Sequence, residues 1–147
     1  MSESTEPHGF IAEADVDIAA PADRVWKLLT QRGPDPDIMF GAEIVSDWTP
    51  GSAIRWKGEY EGREYEDKGT VIEIDPPRRL VVTHFSPLSG SDDLPENYHR
   101  LAYELSGSDG STHVSLAQDG NESAEAAQHS ADNWRAMLDG LKKAAER

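Results

Sequence analysis

Ile18-Ala-Ala-Pro-Ala-Asp-Arg-Val-Trp-Lys-Leu-Leu-Thr30 changes its hydrophobic period at Pro21. Upstream, Phe10, Ala12, Ala14, Val16 and Ile18 alternate with Glu13, Asp15 and Asp17, which is the period of a strand with one buried and one wet face. Downstream, Ala22, Val25, Trp26 and Leu29 recur at helical spacing. Pro21 suits a first helical turn, whose N–H groups have no intrahelical partner, and Asp23 lies near the positive helix end. Gly33-Pro-Asp-Pro36 stops the helix.

From Ala42 to Gln118 strand patterns dominate. Ala42 to Trp48 reads as a short strand and Thr49-Pro-Gly-Ser52 as a turn. Ile54, Trp56, Gly58 and Tyr60 then alternate with charged residues up to a hairpin turn at Gly62. A long strand is expected from Arg63 to Ile74, where Tyr65, Asp67, Gly69 and Val71 share one register while Ile72 and Ile74 fall on the other. A bulge near Gly69 reconciles them. After Asp75-Pro-Pro-Arg78, Leu80, Val82 and His84 share one face of a strand and Val81, Thr83 and Phe85 the other. Residues 86 to 97 are rich in Ser, Pro, Gly and Asp and read as a long surface loop. Leu101, Tyr103 and Leu105 alternate, Ser106 to Ser111 turns the chain, and Thr112, Val114, Leu116 and Gln118 form another alternating face. A final helix is expected from about Glu122 to Glu146, with acidic residues at its start and Lys142, Lys143 and Arg147 at its end, as the helix dipole favours. The sum is an α+β plan in which a curved antiparallel sheet buries one face against helices.

Projected at about 100° per residue, one stripe of the last helix reads Ser123, Ala127, Ser130, Trp134, Leu138, Leu141 and Ala145. Trp134, Leu138 and Leu141 are large enough to fill the space under a sheet, whereas Ser123, Ala127 and Ser130 are not. Either the sheet approaches there or a cavity opens. His84 points toward the same helix from its strand, and a buried imidazole needs a hydrogen-bond partner. Asp67, Tyr65 and Tyr103 are its three candidate partners, in either a structural bond or a ligand contact. Trp56, Tyr60 and Tyr103 add aromatic surface with polar tips.

The 147 residues fit one domain able to bury roughly two thirds of its unfolded surface. Asp and Glu number 28 against 14 Lys and Arg, a formal charge of -14. Nucleic acid and anionic membrane are therefore poor partners; solubility or a salt-adapted cytoplasm accounts for the excess. No signal sequence or membrane span is legible, so a cytoplasmic protein is expected. The absence of cysteine excludes disulfides, thiolate metal sites and a thiol nucleophile. There is no Gly-rich phosphate loop, nucleophile elbow or histidine pair at metal spacing, so neither cofactor nor metal is expected. His8 falls in the N-terminal tail, His113 on a polar strand face and His129 away from the Trp134 stripe. The carboxylates of Glu59, Glu61, Glu64, Glu66 and Asp67 read mainly as a solvated hairpin edge that discourages strand addition.

Four segments together carry a resemblance: Ala20-Pro-Ala-Asp-Arg-Val-Trp26, Trp48-Thr-Pro-Gly-Ser-Ala-Ile-Arg-Trp56, Gly69-Thr-Val-Ile-Glu-Ile-Asp-Pro-Pro-Arg-Arg-Leu80 and Asn133-Trp-Arg-Ala-Met-Leu-Asp-Gly-Leu-Lys142. The chain resembles the activator-of-heat-shock-protein-ATPase homologues of the START-like, or SRPBCC, superfamily from about Phe10 to Glu146. The resemblance implies a helix-grip fold, with a sheet wrapped around the C-terminal helix and two short helices after the first strand. It also implies a cavity for apolar or aromatic small molecules. Residues 1–8 are then a disordered tail and 9–147 one START-like domain. His84 stands where many relatives carry Trp, and Asn133 where they often carry Gly. The co-chaperones that name the family have an additional N-terminal domain with no counterpart in this sequence, so chaperone activation is not the leading expectation.

The expected function is binding of an apolar or aromatic ligand by Trp56, Tyr65, Asp67, His84, Tyr103, Ser130, Trp134 and Phe40. The helix after Pro21 is expected to form one end-wall, with the mouth near residues 34–40 and the 86–97 loop. The alternatives are a cyclase- or hydrolase-type enzyme using His84 or Asp67 as acid and base, and a chaperone-associated interaction module. The chain is expected to be a monomer or homodimer.

Overall fold

A computed structural model describes residues 8–147. Strand β1 (Phe10–Ile18) is followed by α1 (Ala22–Leu29), β2 (Glu43–Ser46), β3 (Ala53–Tyr60), β4 (Arg63–Asp75), β5 (Arg79–His84), β6 (His99–Ser108), β7 (Ser111–Asn121) and the long helix α2 (Ala124–Ala145). The strands form one antiparallel sheet in the order β1-β7-β6-β5-β4-β3-β2. This is the helix-grip arrangement: the sheet curves around α2, whose Met137, Leu138 and Leu141 are fully buried with Ile18, Leu101 and Leu116 from the strands.

The alternation in β1 is realised as burial of Ala12, Ala14 and Ile18. Pro21 stands one residue before α1 rather than inside its first turn, and its carbonyl accepts from the amides of Arg24 and Val25 at 3.0 and 3.2 Å. Of the two short helices expected, only α1 is α-helical. The second is a single 3-10 turn, Met39–Gly41. α1 braces the C-terminal end of α2, where Arg24 Nε donates to the Ala145 carbonyl at 2.8 Å. That bond satisfies one of the carbonyls a helix end leaves orphaned and places a cation at the negative pole.

Two expected features are relocated. The bulge in β4 lies between Val71 and Glu73, whose partners Val82 and Val81 are consecutive, so Ile72 is the extra residue. Gly69 answers a different need: a Cβ there would stand 1.7 Å from the Thr83 carbonyl oxygen, so only glycine lets β4 run this close to β5. The turn expected over Ser106 to Ser111 shrinks to Asp109-Gly110, both at positive φ, because β6 and β7 stay paired out to Ser108 and Ser111.

The 86–97 segment contains two 3-10 turns, Pro87–Ser89 and Pro95–Asn97. It is tied down by a Lys68–Asp93 ion pair, by the Tyr98 hydroxyl donating to Asp93 Oδ1 at 2.6 Å, and by Phe85 stacked on Tyr98. Of the expected disordered tail, residues 1–7 lie outside the described residues. His8 is docked: its amide donates to Asp119 Oδ2 at 3.0 Å and its carbonyl accepts from the Gly120 amide at 2.8 Å. Among the described residues no helix is long and apolar enough to cross a membrane.

Candidate functional site

The small residues at the start of α2 leave a two-lobed cleft against the sheet. The larger lobe, about 490 Å³, lies between β5 to β7, the 86–97 segment and Ala126, Ser130 and Trp134 of α2. The smaller, about 230 Å³, lies between Met39, Phe40 and Ala42, the strand residues Trp56, Tyr65 and Asp67, and Asn133 and Trp134. His84, Gln118, Ser130 and Trp134 line both lobes, which therefore sit side by side.

Register places the central pair. Trp56 lies opposite Asp67 across β3 and β4, and His84 lies opposite His99 across β5 and β6. His84 Nε2 is 2.8 Å from Asp67 Oδ2, and since a carboxylate only accepts, Nε2–H is the donor. The two side chains are 15% and 14% exposed. Trp56 meets the His84 ring edge-on, with centroids 4.9 Å apart. Asp67 Oδ1 is buried without a hydrogen-bond partner among the described residues. A buried polar atom left in that state costs about 1–3 kcal/mol, more if charged.

The remaining polar groups hold one another. Trp134 Nε1 donates to Gln118 Oε1, Ser130 Oγ donates to Asn121 Oδ1 at 2.8 Å, and Asn121 Nδ2 donates to the Phe10 and Gln118 carbonyls. His99 Nδ1–H donates to the Asp119 carbonyl at 2.8 Å, which fixes the ring and leaves Nε2 as an acceptor when neutral. Burial holds its pKa below the ordinary histidine value, against the pull of that bond. Burial, then the charge of Asp67, pushes the Tyr65 hydroxyl up. At the rim, Met39 and Phe40 are consecutive residues at φ 48° and 56°, a left-handed conformation costing roughly 1–2 kcal/mol per non-glycine residue. No Lys or Arg is among the described residues that line either lobe; the formal charges there are Asp67, Glu96 and Glu122.

The family model described as Activator of Hsp90 ATPase homolog 1-like protein matches residues 19–146. The chain belongs to that family. A solved relative, ChR145 from Cytophaga hutchinsonii, is 45% identical, with 94% of each chain covered and a TM-score of 0.78. The Aha1 dimer from Colwellia psychrerythraea has 18% identity, covers 93% of this chain and 96% of its own, and superposes with a TM-score of 0.69. DynU16, from the dynemicin biosynthetic locus, has 16% identity and a TM-score of 0.72 over 90% of this chain, which spans 46% of that one. The last two likenesses are of fold. No curated protein matches the chain.

In this member of the family, seven of the eight residues expected to form a site line the cleft: Phe40, Trp56, Tyr65, Asp67, His84, Ser130 and Trp134. Of the three partners open to His84, the one realised is Asp67. Tyr103 does not line either lobe. It is 3% exposed within the core, on β6 opposite Leu80 and Leu116, and burial pushes its hydroxyl pKa up. No residue of α1 lines the lobes either, so the expected end-wall is instead the Met39–Ala42 segment. The chain just before that segment reaches α2 at Gly140, where a Cβ would stand 2.1 Å from the Asp37 carbonyl oxygen. His99, Gln118 and Asn121 were missed. The alternation of Leu101, Tyr103 and Leu105, extended back by two, puts His99 on the inner face, and Gln118 ends the inward register of β7.

Proposed function

We propose that this protein binds an aromatic small molecule carrying polar substituents across the two lobes. The observation that supports this best is the His84–Asp67 pair at their junction, enclosed by Trp56 and Trp134 and facing space that α2 leaves unfilled. Aromatic walls with a few fixed polar groups are the usual make-up of a small-molecule pocket. The polar lining of the larger lobe shifts the expected ligand from apolar to amphipathic: His99 Nε2 and the Gln118 side-chain N–H groups offer hydrogen bonds that a pure hydrocarbon would leave unmade.

The test is titration with the neutral aromatic fluorophore prodan, followed by its emission and by backbone amide shifts. Binding that perturbs His84, His99, Ser130 and Trp134 supports the reading. Saturable binding that leaves those amides unmoved, or no binding by prodan and by a panel of hydroxylated aromatics, contradicts it.

A second reading, acid–base chemistry in the same cleft, is favoured by one geometric fact: a carboxylate orients an imidazole at 2.8 Å beside a cavity. It predicts that His84→Gln retains ligand affinity and loses turnover. Chaperone association, suggested by the family description, and homodimerisation, as in the Colwellia relative, remain proposals to be tested by co-purification and sedimentation.

A further inference from the structure

The smaller lobe has a composition the binding proposal leaves unexplained, and the inference drawn from it rests on that proposal. Phe40, Trp56, Tyr65 and Trp134 surround it, and one carboxylate, Asp67, belongs to it. Asp67 is 14% exposed, its sole ion-pair partner among the described residues is His84, and Oδ1 has no donor. No lysine or arginine is among the described residues lining either lobe, and the larger lobe adds Glu96 and Glu122. The chain as a whole carries -14. The formally charged groups that line the two lobes are all carboxylates, which disfavour an anion. A carboxylate that lines a lobe walled by aromatic rings suits a cation with an N–H to give, since ring quadrupoles attract positive charge and the carboxylate accepts a charge-assisted bond.

We infer that the smaller lobe is a subsite for a protonated amine, held by Asp67 and the surrounding rings, with the rest of the ligand extending past His84 into the larger lobe. Phe40 is the outermost of these rings. It is 61% exposed and held at a strained φ of 56° on the rim, where an incoming ammonium group would cover it.

The experiment uses three probes of one skeleton and three charges: phenethylamine, phenethyl alcohol and phenylacetate, titrated at neutral pH into the intact protein and followed by amide and Trp indole shifts. The expected order is amine over alcohol by about tenfold, the factor one charge-assisted contact supplies, with phenylacetate not binding. Asp67→Asn should erase the amine's advantage over the alcohol. Phe40→Leu, which keeps apolar area on an exposed residue and removes the ring, should narrow the amine's advantage over the alcohol and serves if Asp67→Asn fails to fold. Equal affinity for amine and alcohol, or binding of phenylacetate, overturns the amine subsite and leaves the aromatic-ligand proposal standing. Failure of the amine to shift any cleft residue overturns the inference. If prodan and the panel of hydroxylated aromatics also fail, the binding proposal falls with it.

Discussion

Asp119 shows how much a single buried acceptor organises. It is 2% exposed, accepts from the Arg100 amide through Oδ1 and from the His8 amide through Oδ2, and its own carbonyl holds His99. Asp119→Ala leaves two amides without partners and should destabilise the fold by about 2–4 kcal/mol, read as a lower urea midpoint at unchanged slope. His99 contributes a pH dependence of known sign. Its folded pKa lies below the ordinary value of 6.5, so the unfolded chain takes up the proton first. The stability tied to neutral His99 is therefore complete above that value and lost as pH falls below it. Between pH of about 7 and 5 the wild type should lose more stability than His99→Gln; parallel curves would contradict the assignment. At this scale the sequence was partly readable. The need of His84 for a partner followed from its strand face, and Asp67 was among the three possible. What could not be read was register: nothing local says that His99 faces His84, because that pairing is fixed by the whole length of the β5–β6 ladder. Tyr103 shows the converse, a polar-tipped aromatic whose alternation is equally that of a core residue.

At the scale of elements, α2 performs two tasks with two halves. Its C-terminal half is core: Leu138 is fully buried, and Leu138→Ala should cost about 2–5 kcal/mol because the surrounding strands cannot close on the space. Its N-terminal half lines the cleft and is secured by the Ser123 side chain, which accepts from the Ala126 amide at 3.0 Å. Ser123→Ala should cost about 1 kcal/mol and speed amide exchange in the first turn, next to the larger lobe. Gly140→Ala tests the connection to the rim: it must displace the Asp37 carbonyl, so amide shifts should spread through residues 35–42 and prodan affinity should fall. Hydrophobic patterning placed every strand and both α-helices, by one-sided burial in most of them and by a short apolar run in β5, which is buried on both faces. The bulge at Ile72 was displaced from the expected Gly69 because Gly69 is required by the approach of β4 to β5, not by a change of register. The 3-10 turn at Met39–Gly41 was missed as such because no period operates over three residues.

Across the whole molecule, the bent sheet and α2 leave an open cleft beside the first turns of the helix. The charge of -14 and the lack of any Lys or Arg among the described residues lining the cleft fit the proposal of a ligand that is not anionic. The proposed ligand resides in the space beside the first turns of α2. Ala126→Trp fills the larger lobe from a helix position whose side chain carries no structural bond. The decisive measurement is prodan affinity of that variant beside its thermal midpoint. An unchanged midpoint with binding abolished is the predicted result; a folded variant that binds prodan as tightly as the wild type would contradict the claim.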